Sequence, residues 1–206
     1  MSLKTFVKIN RITNLTDARY CAGVNVDVIG FSLESASPHY VSPAQFGEIT
    51  GWISGIEFAA EFKNASSDEI KSALEHYPGI TWVESEELES LIDLEIEGLN
   101  LIYKLNVEEL AKWNGEIGEK VKNHAITMHI TANDISLSDG RIELIQPITS
   151  YGKLLLGFGI SAENVAELSL NPVIAGLALD SGDEIKPGLR DFDHLADILE
   201  ALEIED

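Results

Sequence analysis

Basic residues are scarce in this chain: 14 Lys and Arg stand against 35 Asp and Glu, a formal charge of −21. So acidic a surface repels polyanions, and nucleic acid and anionic membrane are excluded as partners on electrostatic grounds. A single cysteine, Cys21, rules out an internal disulfide and suits a reducing, cytoplasmic setting. No apolar run approaches the ~20 residues of a membrane span, and the start of the chain has no signal-peptide pattern. The histidines, His39, His76, His124, His129 and His194, lack the i, i+4 or Cys-paired spacing of a ligand set. No metal and no other cofactor is expected.

What the chain does have is 206 residues with 45% hydrophobic content, enough for one sizeable core and short for two ordinary domains. A single domain over residues 1–206 is the expectation. Residues 5–9, 26–31, 56–62, 80–83, 99–105 and 125–130 have strand composition, and two further apolar runs end at Leu156 and Leu179. Helical stretches alternate with them. Asn14 and Gly23 bracket a short capped helix, Ser42-Pro43 opens a helix over 44–53, and Ser66-Ser67-Asp68-Glu69 is a capping box for a helix to about residue 76. Helical spacing recurs over 86–94 and 107–122. It closes the chain over 191–202, with Leu195, Ile198, Leu199 and Leu202 inward. The sixth connection is irregular, because Asn133-Asp134, Ser138-Asp139-Gly140 and Pro147 are loop signals. Eight strand–helix units predict an α/β fold, a single small (βα)8 TIM barrel, with a doubly wound open sheet as the competing arrangement. Monomer and homodimer both fit.

Two glycine turns follow the last two strands. Gly157, Gly159 and Ser161, the last at an N-cap position, and then Ser181 and Gly182 could aim backbone N–H groups at one anion, so a small phosphorylated molecule is the expected partner. The competing explanation is that these glycines serve only the sterics of the turns. In a barrel, ligand groups come from the C-terminal ends of the strands. That rule selects Asn10 and Arg11, residues 32–40 and 61–64, Glu84, residues 129–131 and the glycine turns. Lys8 shares the strand parity of Asn10, so both point inward, where a buried lysine needs an acid such as Glu57 or Glu61. A purely structural ion pair is the simpler reading of it.

Four segments carry a more specific signal. Val7-Lys8-Ile9-Asn10-Arg11-Ile12-Thr13, running on to Asp17-Ala18, follows V-K-I-C-G-I-T-x-x-x-D-A, and Ser37-Pro38-His39-Tyr40-Val41-Ser42-Pro43 follows S-P-R-Y-V-S-P. Gly157-Phe158-Gly159-Ile160 with Asn164-Val165 parallels A-G-G-L-x-x-x-N-V. Ser181-Gly182-Asp183-Glu184 and Pro187-Gly188-Leu189-Arg190-Asp191 parallel S-G-x-E and P-G-x-K-D. In this order the segments resemble the phosphoribosylanthranilate isomerase family of tryptophan biosynthesis. The resemblance implies a TIM barrel that converts an aminoaldose to an aminoketose by an Amadori rearrangement. A cysteine at the end of the first strand serves that family as general base and an aspartate at the end of the sixth as general acid.

The departures bear on activity. Asn10 stands at the cysteine position and has no proton to shuttle near neutral pH. His129 stands at the aspartate position, and His39 replaces the arginine that recognises the anthranilate carboxylate, without its bidentate fork. The fourth-strand signature V-Q-L-H-G-D-E becomes Ile80-Thr81-Trp82-Val83-Glu84-Ser85-Glu86. Lys8 and Lys104 match lysines of the first and fifth strands, so Lys8, His39 and Lys104 are the candidate substrate-binding residues. The eighth-strand aspartate aligns with Ala178, which leaves Asp180, two positions on, leaning towards the mouth. Two unit charges 4 Å apart repel by about 4 kcal/mol at an effective dielectric of 20, so Asp180 must turn away, pair, or face a different ligand. Capping the turn is its simpler role. The resulting expectation is a barrel that keeps a phosphate cradle while its Amadori activity is weak or lost. One alternative is a working isomerase with Asn10 bypassed and His129 and Asp180 as acid and base. The other is a structural or partner-binding barrel.

Overall fold

The strands β1 (Phe6–Asn10), β2 (Val28–Ser32), β3 (Glu57–Phe62), β4 (Ile80–Ser85), β5 (Asn100–Asn106), β6 (Thr127–Thr131), β7 (Leu154–Leu156) and β8 (Gly176–Asp180) close into a parallel barrel in that order. The structure, a computed structural model, describes residues 2–133, 145–182, 184–186, 189–190 and 193–204. It is the (βα)8 barrel that the alternation predicts, and the open sheet is set aside by the pairing of β8 with β1. No helix among the described residues is long and apolar enough to cross a membrane.

Local chemistry explains most of the helices. Asn14 Oδ1 accepts from the Asp17 N–H to open Leu15–Gly23, and Ser42 Oγ accepts from Gln45 N–H to open Pro43–Thr50, whose first residue is the proline. Ser66 and Glu69 cap each other at the start of Ser67–Leu74. The helix expected over 107–122 is divided. A 3-10 segment, Val107–Lys112, ends at Trp113, and the α-helix Gly115–Asn123 starts afresh because Asn114 accepts from the Ile117 N–H and acts as a new cap. The helix expected from Ser161 begins later, at Val165–Leu170: the Asn164 side chain folds back to accept from the Ser161 N–H and to donate to the Gly159 carbonyl, closing a turn first. A short antiparallel hairpin, β9 (Glu184–Lys186) with β10 (Leu189–Arg190), precedes the last helix, Asp193–Leu202, and has no counterpart in the sequence expectation. Asp134, Ser138, Asp139 and Gly140 of the sixth connection, and Asp183, Pro187, Gly188 and Asp191, lie outside the described residues.

The outward faces of the strands and the inward faces of the helices form the main core, including Ile9, Ile29, Phe31, Val83, Ile130, Leu177 and the predicted Leu195, Ile198, Leu199 and Leu202. Inside the barrel there are two zones. Ile102, Leu155 and Ala178, with Phe6 and Trp82 against them, make an apolar plug towards the N-terminal ends of the strands. Above it the interior is charged. Cys21 is fully buried in the first helix, and burial, helped by Asp17, pushes its thiol up to about 12. A thiol-specific disulfide reagent at pH 8 is therefore expected to leave the native protein unmodified while reacting fully after denaturation. Rapid stoichiometric labelling of the native protein contradicts that burial.

Candidate functional site

The charged zone is built around Lys8, which is completely buried. Its ammonium group lies 2.6 Å from Glu61 Oε1 and 3.1 Å from Glu84 Oε2, and it also donates to the Asn10 side-chain oxygen. Three donors thus meet three acceptors. Burial alone would lower the pKa of Lys8, but Glu61 and then Glu84 raise it above its ordinary value. Burial alone would raise that of Glu84, but Lys8 and then His129 hold it well below the ordinary carboxylate range. Both directions favour the charged forms of Lys8 and Glu84. Of the two acids expected to partner Lys8, Glu61 does so; Glu57 instead accepts from the Trp82 indole N–H. Glu84 is a partner that the sequence reading did not assign to Lys8.

His129 extends the network. Its Nδ1 sits 2.9 Å from Glu84 Oε2, the ring is 1% exposed, and Nε2 has no hydrogen-bond partner among the described residues. Two glycines make room for these groups. A Cβ on Gly30 would come within 1.8 Å of Glu61 Oε1, and one on Gly157 within 2.3 Å of His129 Nε2. Gly157 therefore has a steric task in the barrel, and its N–H already donates to the Ile130 carbonyl at 2.8 Å.

Arg11 follows β1 in the left-handed region, with φ of 58°. Its N–H donates to Glu61 Oε2 (3.2 Å) and its carbonyl accepts from the buried Ser181 hydroxyl (3.2 Å). The guanidinium reaches over the mouth, with Nε 3.1 Å and one terminal nitrogen 2.9 Å from the two oxygens of Asp180, and the other terminal nitrogen 3.4 Å from His39 Nε2. Asp180 thus resolves its conflict by pairing, and Asn10 is its neighbour in strand register. Lys104 pairs with Glu86 at 3.3 Å and remains about one-third exposed at the same mouth.

Two cavities open here. One, of about 390 Å³, is lined by Asn10, Arg11, Ser32, Glu34, Lys104 and Asp180 among others. The second, of about 410 Å³, lies over the glycine turns and is lined by Gly157, Phe158, Gly159, Ile160, Gly182 and His194, with Arg11 and Asp180 on its border with the first. Gly159 and Gly182 have φ of 64° and 83°, conformations that glycine adopts without strain. Ser161 and Gly157 use their N–H groups within the fold, whereas those of Gly159 and Ile160 donate to no acceptor among the described residues. The structure brings Lys8, Asn10 and, through Glu84, His129 into one network. It places Asp180, His39 and Arg11 in another. His129 and Asp180 share no hydrogen bond or ion pair. No group of His, Cys, Asp and Glu among the described residues has the arrangement of a metal site.

The strand-end rule selects Arg11, which stands where the resembling motif carries glycine, but assigns it no role; its pairing with Asp180 and its reach to His39 emerge only in the structure.

No family model matches the chain. Among curated proteins it is 28% identical over 210 residues to the N-(5'-phosphoribosyl)anthranilate isomerase of Aquifex aeolicus, covering 97% of this chain and 98% of that one. Among solved structures, the phosphoribosyl anthranilate isomerase of Thermotoga maritima superposes with a TM-score of 0.74 at 22% identity, over 96% of this chain and 98% of that one. A phosphoribosyl anthranilate isomerase in complex with reduced 1-(o-carboxyphenylamino)-1-deoxyribulose 5-phosphate superposes with a TM-score of 0.71 at 23% identity and the same coverage. In sequence and in fold, over nearly its whole length, the chain is similar to phosphoribosylanthranilate isomerases.

Proposed function

We propose that this barrel binds a small phosphorylated molecule over the turns that follow β7 and β8, and that the Amadori isomerase chemistry of its relatives is weak or lost. The observation that carries the second half is the state of Asn10. It stands where the resemblance puts the general base, its side chain titrates no proton, and its oxygen is held by Lys8. His129, at the acid's position, is held by Glu84 beneath the mouth with almost no exposure. A positioned acid or base contributes about 100-fold to 10,000-fold, so loss of both removes the chemistry without removing the pocket.

The first half is supported by the 410 Å³ cavity, by the N–H groups of Gly159 and Ile160 on its wall, and by the phosphorylated ligand of the related structure. Donors fixed in a turn act locally, which is what a protein of charge −21 requires to hold an anion. Gly157 contributes shape, with its N–H group committed elsewhere, and Gly182 completes the wall from the end of β8, whereas Ser161 and the fully buried Ser181 are not among the residues that line the cavity.

A thermal-shift titration with ribose 5-phosphate tests the binding. At 100 times the dissociation constant a single site stabilises by about 2.7 kcal/mol, which for a domain of this size raises Tm by roughly 5–10 °C. Ribose alone is expected to give a much smaller shift. Absence of any shift at 10 mM on the order of the weakest useful affinity overturns the binding half and favours a structural or partner-binding barrel.

A further inference from the structure

We propose that Arg11 is the charged group that receives the ligand's phosphate, and that Asp180 is an internal anion which that phosphate must displace. The inference rests on the phosphate reading above and adds the residue that selects for the anion. Arg11 borders both cavities, so one guanidinium commands the boundary between the mouth and the glycine turns. Its backbone is fixed on two sides, by Glu61 through the N–H and by Ser181 through the carbonyl. The side chain is therefore aimed by its anchors.

The present occupant of that fork is Asp180, through both carboxylate oxygens. A guanidinium paired bidentately with a carboxylate has the geometry that also fits two oxygens of a phosphate. The Asp180 side chain is 55% exposed and that of Arg11 37%, so water already competes for both and the exchange needs no unpacking of the core. When the binding-competent arrangement is only part of the population, the apparent affinity falls by that fraction. Asp180 thus sets a threshold. A ligand with a single weak anionic group does not open the pair, whereas a phosphate that also meets the Gly159 and Ile160 N–H groups does.

The test is calorimetric titration of the full chain with ribose 5-phosphate, ribose serving as control, on the wild type, Asp180→Asn, Arg11→Gly and the double variant. Arg11→Gly is chosen because glycine accepts the left-handed backbone at this position and keeps the turn folded. Circular dichroism checks each fold. Asp180→Asn is expected to bind about tenfold more tightly than the wild type, Arg11→Gly at least tenfold more weakly, and the double variant no better than Arg11→Gly alone. If ribose 5-phosphate binds all four proteins equally, the role of Arg11 and Asp180 is overturned while the phosphate cavity stands. If it binds none of them, including Asp180→Asn, both fall. Weaker binding by Asp180→Asn also overturns the inference, since it makes the carboxylate a partner of the ligand.

Discussion

Lys8→Met is expected to destabilise the barrel by about 3–5 kcal/mol, the cost of breaking a buried ion network by removing one member. Lys8 is fully buried and is the common partner of Glu61, Glu84 and Asn10, so its loss leaves two carboxylates in the barrel without their cation. Urea or thermal unfolding at pH 7 measures the change. The pH dependence separates this account from a simple packing defect. In the wild type the raised pKa of Lys8 stabilises the fold fully below its ordinary value of 10.5, and the contribution is lost as pH rises past the folded value. The lowered pKa of Glu84 stabilises above its ordinary value of 4.5, and that contribution is lost as pH falls towards the folded value. The network therefore contributes in full between those limits. In Lys8→Met the largest charge holding the Glu84 pKa down is gone and burial raises it relative to the wild type, so acidifying from pH 7 to pH 5 relieves the variant while the wild-type network keeps its full contribution. The difference between the two is expected to narrow from pH 7 to pH 5. A difference that stays constant over that range, or a loss below 1 kcal/mol on the scale of an ordinary surface change, contradicts the ionised network.

Gly30→Ala carries the second large effect, about 3 kcal/mol, at the upper end of overpacking. The added methyl would lie 1.8 Å from Glu61 Oε1 and 2.5 Å from the carboxyl carbon, so Glu61 must move. A flexible carboxylate elsewhere would swing aside at little cost. Here it is pinned by Lys8 on one oxygen and by the Arg11 N–H on the other. The methyl thus acts on the same network as Lys8→Met, and the two losses are expected to sum to less than their separate values. Stability measurements on both single variants and the double variant decide this. Full additivity would show that Glu61 moves without disturbing Lys8.

The barrel was legible in the sequence because its signals are local. Apolar runs of strand length alternate with caps such as Asn14, Ser42 and Ser66, and such alternation in a chain of this length admits few parallel arrangements. The failures were local as well. Asn114-Gly115 interrupts the helical spacing over 107–122 with a cap that periodicity alone does not weigh, and the three residues of β9 are too short to carry a strand signal. Within the site, strand parity was enough to turn Lys8 inward and to bring Asp180 to the mouth. Parity does not say which acid a lysine meets across a barrel. Glu84 reaches Lys8 only because closure of the barrel brings β4 and β1, three strands apart in the order, to face one interior, a long-range fact that no window of sequence contains. For the same reason the space that Gly30 leaves for Glu61, and the reach of Arg11 to His39 and Asp180, emerge only once the strands are closed.

The likeness to phosphoribosylanthranilate isomerases and the chemistry of this particular mouth therefore point in different directions. Fold and length follow the isomerases it resembles, while the Asn10 amide, at the position where the resemblance puts the general base, is held by Lys8. Asn10→Cys alone would not be expected to restore turnover, because the residue where the resemblance puts the acid would still be His129, held by Glu84. The most direct measurement is the turnover of phosphoribosylanthranilate by the purified wild-type protein at saturating substrate. The expected rate is at least 1,000-fold below the roughly 10 per second that is the median for enzymes. A turnover number near 1 per second would contradict it and return His129 and Asp180 to the place of acid and base.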